Sequence, residues 1–302
     1  MSISILGSVA FDTLKTPEGT RDKIQGGSAF YSSIAASYFT TPHIISKVGG
    51  DYPERYFSLL AKRKINTDNI QIDKNNKTFH WVGSYLNNIN IAETIDTEIG
   101  VLGDFQPMTN KAAKDANICF CANNGPASQI AALEQVNSHI KALDTMNLWI
   151  DIAKDELEKA LALIDILFIN DTEIKMLTKE YNLIKAVRNI QSKFKNIRYL
   201  VLKKGEYGAT VYGSEENEIF NSGAYPLELV KDPTGAGDSF AGGFLGYIDN
   251  NLLNWKTVKE ALLFGTAVSS FTVEEFGPDS LLSTSREKIN KRYEELKSFS
   301  SL

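Results

Sequence analysis

A thirteen-residue stretch late in the chain, Asp232-Pro-Thr-Gly-Ala-Gly-Asp-Ser-Phe-Ala-Gly-Gly-Phe244, restricts the fold more than any other feature of the sequence. Gly235, Ala236 and Gly237 make a backbone that an anion can approach closely, because two of the three lack a Cβ. Phe240, Phe244, Leu245 and Ile248 follow at helical spacing, which sets the small residues at a helix N-terminus. Free N–H groups and the positive end of the helix dipole favour negative charge there. Asp238 then falls in the first turn, beside the anion. A carboxylate in that place is either a helix cap, as Thr234 could also be, or a proton acceptor. The commonest nucleotide-binding folds are excluded. The chain has no Gly-x-x-x-x-Gly-Lys-Ser/Thr, and a single glycine, Gly7, ends the first strand where a dinucleotide fold needs several.

The rest of the chain alternates between two periodicities. Met1–Val9, His43–Val48, Ile118–Ala122, Leu148–Ile152, Ile164–Ile169 and Tyr199–Leu202 read as short apolar strands. Helical patterns cover Ser28–Phe39, Arg55–Lys64, Ala236–Ile248, Thr257–Thr272 and Arg286–Leu296. Strands that alternate with helices imply a mostly parallel sheet covered on both faces. Two stretches break that rhythm. Thr13–Gln25 is polar and turn-rich, and Lys77–Leu102 reads as inserted antiparallel strands, Thr78–Tyr85 and Ile89–Ile99, suited to a flap.

At 302 residues, 43% hydrophobic and 23% charged, the chain has the composition of a globular protein with a sizeable core. A net charge of −5 argues against a nucleic-acid or membrane-surface partner. No apolar run reaches the length of a membrane span, and Met-Ser-Ile-Ser-Ile-Leu-Gly does not read as a signal peptide, so a cytoplasmic location is expected. Cys119 and Cys121 fall on one face of a strand and read as buried, reduced thiols, since neither Cys-x-x-Cys spacing nor a nearby His marks a metal site.

Residues 232–240 contain every core position of the motif Asp-Thr/Pro-Thr-Gly-Ala-Gly-Asp-x-Phe, and on these the chain resembles the ribokinase-like carbohydrate kinases, the PfkB family. The resemblance implies a ribokinase-like α/β three-layer sandwich with a mostly parallel sheet plus a small β lid. It implies one kinase domain over residues 1–302, with lid segments at about 12–27 and 76–103. The implied reaction is phosphoryl transfer from ATP, with Mg2+, to a hydroxyl of a sugar or sugar derivative. Asp238 is then the general base, and the Gly235, Ala236 and Gly237 amides form the anion hole.

Other residues take roles from the same resemblance, each beside a plainer reading. Asn170-Asp-Thr-Glu173 is by itself a helix N-cap with Glu at N3. It also resembles the family's Asn-x-x-Glu motif, in which Asn170 would border the nucleotide and Glu173 would hold Mg2+ through water. Lys203-Lys-Gly-Glu-Tyr-Gly208 is a charged turn, or the family's Lys-x-Gly-x-x-Gly nucleotide lining, with either Lys203 or Lys204 beside Gly205 and Gly208, and Lys204 favoured. Ala267, Val268 and Phe276-Gly277 are either core or the adenine wall. Asp12 and the pair Gly26-Gly27 are turn and helix-start residues, or the grip on the acceptor's hydroxyls, since a carboxylate accepts two hydrogen bonds from a polyol. Asp232 and Thr234 match positions that border a monovalent cation, which implies activation by K+. A homodimer through the lid is a further implication.

Two departures leave the acceptor open. Tyr31 stands where many family members have Asn after the paired glycines, and Asp144-Thr-Met-Asn-Leu-Trp149 lacks the Arg of an Asp-x-Asn-x-Arg segment. Phe79, Trp81 and Tyr85 share one face of a lid strand and suit stacking on a sugar or base, lid packing or a dimer contact. A sugar is the favoured acceptor, and an adenosine-type nucleoside is the alternative. A silent relative that only senses a ligand is the rival from another class, opposed by the retention of Asp238, Asn170 and Glu173 together.

Overall fold

The computed structural model describes residues 1–103, 105–215 and 218–299. The first half runs β1 (Ser2–Leu6), β2 (Ala10–Thr16), β3 (Gly19–Gly26), α1 (Ser28–Ser37), β4 (Thr41–Gly49), α2 (Glu54–Lys62), β5 (Asn66–Asp73), β6 (His80–Ser84), β7 (Glu93–Glu98), α3 (Lys111–Lys114), β8 (Ile118–Cys121), α4 (Pro126–Gln135) and β9 (Ile140–Asp144). The second runs α5 (Asn147–Ile152), α6 (Lys154–Leu161), β10 (Ile166–Asn170), α7 (Asp171–Thr178), α8 (Leu183–Lys193), β11 (Tyr199–Lys203), β12 (Ala209–Gly213), β13 (Ile219–Ser222), α9 (Ala236–Asp249), α10 (Trp255–Thr272), α11 (Asp279–Ser283) and α12 (Arg286–Phe299).

The large sheet has the order β13-β12-β11-β10-β9-β8-β1-β4-β5. Its pairs from β5 to β11 are parallel, and β12 and β13 join antiparallel at one edge. Period-two alternation sorts side chains to two cores. Ile3, Ile5, Phe120, Phe168 and Val201 face one core, with α1, α9, α10 and α12. Leu6, Cys119, Cys121, Leu167 and Leu202 face the other, with α4, α6, α7 and α8. Both cysteines are therefore buried on one face and free, as their spacing implies. The architecture is an α/β fold with a mostly parallel sheet between two helical layers and a small second sheet, as the resemblance implies.

Three readings need correction. Leu148–Ile152 is helix α5, which buries only Ile150 and leaves Leu148 and Ile152 exposed. The strand lies earlier, at Ile140–Asp144, where Lys141 interrupts the apolar run but Ala142 and Leu143 are buried. Thr13–Gln25 is not merely turn: it lies in β2, which is largely buried, and in β3, whose polar Thr20–Lys23 are exposed. β6 does pair antiparallel with β7, but it pairs parallel with β2, so the four-stranded sheet β3-β2-β6-β7 is mixed.

α1 packs closely on α9, and glycine makes the approach possible. A Cβ on Gly242 would lie 2.2 Å from the Ser32 carbonyl oxygen. The contact brings the start of α1, immediately after Gly26-Gly27, beside the start of α9.

Candidate active site

Alternation also builds the site. β9, β10 and β11 are neighbours in the sheet and end in Asp144, Asn170 and Lys203. Asn170 is in register with Lys203. Two residues before each end, Ala142, Phe168 and Val201 all face the core under α1 and α9. The three polar ends therefore turn to that face, at the carboxyl edge of parallel strands where α/β sheets hold ligands. Lys203 Nζ donates to Asp144 Oδ2 at 2.5 Å, with both side chains largely buried. Lys204, one residue later, donates instead to Asn221 Oδ1 at 2.6 Å near the surface. The side chain directed at the site is Lys203, not the favoured Lys204.

Gly235 caps α9 in the left-handed region, at φ +76°, and no side chain closes the first turn. Neither Thr234 nor Asp238 is a cap. The Ala236 N–H donates to the Pro233 carbonyl at 3.2 Å, and among the described residues no acceptor meets the Gly235 and Gly237 N–H groups. A Cβ on Gly237 would lie 3.2 Å from Lys203 Nζ. A helix N-terminus with two open amides thus lies beside an ammonium, which suits a phosphoryl group. Asp238 occupies the first turn. Burial, and then the Asp144 charge, push its carboxyl up to about 7 against the opposing pull of Lys203. A base poised near neutrality is matched to taking a hydroxyl proton.

Asn170 and Glu173 form a full capping box: Asn170 Oδ1 accepts from the Glu173 N–H at 2.7 Å, and Glu173 Oε2 accepts from the Asn170 N–H at 2.8 Å. Burial raises the Glu173 carboxyl to about 7, with Lys203 pulling the other way. Among the described residues Oε1 has no hydrogen-bond partner, so one carboxylate oxygen is left over from the cap. Mg2+ commonly takes one or two carboxylates and completes its shell with water and phosphate. The donor set fits that use. For Lys203, burial alone would lower the ammonium, but Asp144 and Glu173 outweigh it and hold the pKa above its usual value.

Asp12, Gly26 and Gly27 also come together. A Cβ on Gly26 would collide with Asp12 Oδ2, and the Gly27 amide supports the same carboxyl. Burial and the charges of Asp232 and Asp238 push Asp12 up to about 8. Asp232 is fully buried, and its two oxygens accept from the Thr234 N–H at 2.9 Å and the Gly277 N–H at 2.8 Å. The Thr234 hydroxyl donates to the Tyr85 hydroxyl at 3.1 Å, tying the small sheet to the anion loop. Trp81 lies over Gly83 and meets Tyr85 edge-on at 6.4 Å, which places both aromatic rings on one face.

The turn after β11 has Gly205 and Gly208 at positive φ. Asn90 of the small-sheet segment reaches it, donating to Glu206 Oε1 at 3.2 Å. Ala267 and Val268 are fully buried core residues, with Val268 against Gly243. Phe276 packs beneath the Arg21 guanidinium at 4.4 Å.

Sequence reasoning weighs Lys203 beside Lys204 but favours Lys204, and it gives Asp144 no place in the site. A carboxylate ending a strand at Ile140–Asp144 was the available signal, hidden once the strand was set at Leu148–Ile152.

A family model described as pfkB family carbohydrate kinase matches residues 7–285. The cytidine kinase of Thermococcus kodakarensis is 26% identical over 252 residues, covering 82% of this chain and 88% of that protein. The crystal structure of a Methanocaldococcus jannaschii nucleoside kinase superposes with a TM-score of 0.79 at 19% identity, over 97% of this chain and 98% of that one. An Arabidopsis thaliana ribokinase complexed with ribose and ATP gives 0.76 at 19% identity, over 96% and 98%. The chain belongs to the pfkB family of carbohydrate kinases, which are ATP-dependent phosphotransferases.

Proposed function

We propose that this kinase moves the γ-phosphoryl group of ATP onto a hydroxyl of a ribosyl-bearing small molecule, with Asp238 as the general base. The observation that carries the reading is Asp238 in the first turn of α9, beside two open amides and the Lys203 ammonium. Asp238 accepts the proton of the attacking hydroxyl as it closes on phosphorus. The Gly235 and Gly237 amides and Lys203 neutralise charge on the transferring group, while Ala236 holds the turn. Asp12, Gly26 and Gly27 grip the acceptor's hydroxyls. Gly205 and Gly208, with Asn170 at the strand edge, line the nucleotide, and Lys204 stands at the rim. Glu173 would hold Mg2+ through water, and the ion when bound draws charge from the phosphates.

The sheet β3-β2-β6-β7 acts as the lid, excluding water so that ATP is not hydrolysed instead. Support comes from its two hydrogen-bonded contacts, Tyr85 with Thr234 and Asn90 with Glu206. Leu86, Ile91, Ile95 and Ile99 are exposed on the lid segment and suit a second copy of the chain. K+ would lie beside Asp232 and Thr234. Asp232 is a buried carboxylate with no cationic partner among the described residues.

Sequence alone favours a sugar or sugar derivative. The likeness to a cytidine kinase across most of both chains shifts the preference to a nucleoside. ADP release with Mg-ATP, measured on cytidine, adenosine, ribose and fructose with Asp238→Asn as control, tests the reading. Turnover on one acceptor that the variant loses supports it. Binding of ATP and acceptor with no ADP formed would favour a sensor.

A further inference from the structure

Tyr31 is a residue of α1 that the mechanism above does not use, and three observations set it apart. Its ring lies directly under the anion loop: a Cβ on Gly235 would come within 2.5 Å of Cγ, Cδ1 and Cδ2. The residue is 1% exposed, yet among the described residues its hydroxyl has no hydrogen-bond partner. Burial, followed by the charges of Asp232 and Asp12, drives the phenol well above its ordinary pKa, so the O–H stays a donor among carboxylates. A buried donor without a partner costs free energy that a well-packed protein ordinarily avoids. The adjoining residue, Ser32, donates to the Asp238 carbonyl at 3.1 Å, so this turn of α1 bears on both the loop and the base.

We propose that Tyr31 is a specificity-determining residue of the acceptor site: its ring carries the anion loop at Gly235, and its unpartnered hydroxyl donates to an acceptor oxygen held by Asp12. The assignment rests on the acceptor side of the function proposed above. It explains how a bulky aromatic residue is accommodated between the Gly26-Gly27 turn and α9. The ring fills the space beneath a glycine that has no side chain to oppose it. The Tyr85 hydroxyl, bound to Thr234, lies within electrostatic reach of the same phenol, so lid and acceptor converge on one small polar cluster.

Steady-state kinetics of wild type, Tyr31→Phe and Tyr31→Ala on cytidine, adenosine and ribose, each with a thermal melt, test the assignment. Tyr31→Phe keeps the ring and loses the donor. Its KM for the acceptor should rise about tenfold, with KM for Mg-ATP changing by less than about twofold. Tyr31→Ala removes the support as well, so its kcat should fall further, about 10²-fold. A merely structural tyrosine gives a different signature: loss of an unsatisfied hydroxyl in Tyr31→Phe would raise Tm and leave the acceptor KM unchanged. That result overturns the inference while the kinase reading stands. No turnover of any of the three acceptors by wild type overturns the acceptor reading and this inference with it. Unfolding of Tyr31→Ala leaves the decision to Tyr31→Phe, whose ring preserves the packing.

Discussion

Replacing Lys203 by Met should separate what the buried ion pair does for stability from what it does for catalysis. Met keeps most of the aliphatic stem and removes the ammonium. Asp144 is then left with a side chain only 4% exposed and, among the described residues, one remaining donor, the Thr145 N–H at 2.9 Å. Deleting one member of a buried pair costs about 3–5 kcal/mol. Asp144 can escape part of that by taking a proton. From an ordinary carboxyl pKa near 3.9, protonation costs about 4 kcal/mol at pH 7 and about 1.5 kcal/mol at pH 5, at 1.36 kcal/mol per unit. The destabilisation of Lys203→Met should therefore shrink by about 2.5 kcal/mol between those two pH values. The double variant Asp144→Asn/Lys203→Met replaces the charge by an amide and should recover most of the stability at neutral pH. Turnover should not recover, because the loss of positive charge beside Gly237 remains, and a loss of about 10²–10³ in kcat is expected for both variants. Urea unfolding at the two pH values, with ADP release on the same samples, provides the test. A stability loss independent of pH, or a double variant with restored turnover, would refute the reasoning.

Four further outcomes are expected. Asp238→Asn should lower kcat by at least about 10²–10⁴ with the melting curve retained or raised, and a variant with wild-type kcat would remove Asp238 from the role of base. Turnover should rise with pH along a single-proton limb near 7, where the Asp238 carboxyl loses its proton. Stability without ligands should move oppositely. Asp12, Glu173 and Asp238 have folded-state values raised to about 8, 7 and 7, so the folded chain holds protons that the unfolded chain has released. Stability is therefore lost as pH climbs from about 4 to about 8, and melts across that range read it directly. Rates at equal ionic strength should be higher in K+ than in Na+, and equal rates would argue against a cation beside Asp232.

Much of the molecule is legible before folding because its signals are local. The loop at 235–237, the helix that follows and the acid in its first turn lie within one short segment, so composition and spacing suffice. The strand–helix alternation gives the parallel sheet for the same reason. Errors arose where local signals compete. Leu148–Ile152 is apolar enough for a strand, but the sheet uses Ile140–Asp144, whose burial on both faces outweighs one lysine. β3 carries a weak strand signal because Thr20–Lys23 are all exposed, whereas β2 is largely buried although it carries Asp12, Thr13, Lys15 and Thr16.

Convergence over long sequence separation belongs to the tertiary structure. Asp12, Tyr31, Asp144, Lys203 and Asp238 come from five separate elements, and only sheet order and the close packing of α1 on α9 bring them together. The choice between Lys203 and Lys204 turns on strand parity, which side of the sheet a given residue faces, and this is set by register and not by residue type. The raised pKa of Asp238 follows from desolvation and from charges on other elements, quantities that have no value until the chain is folded.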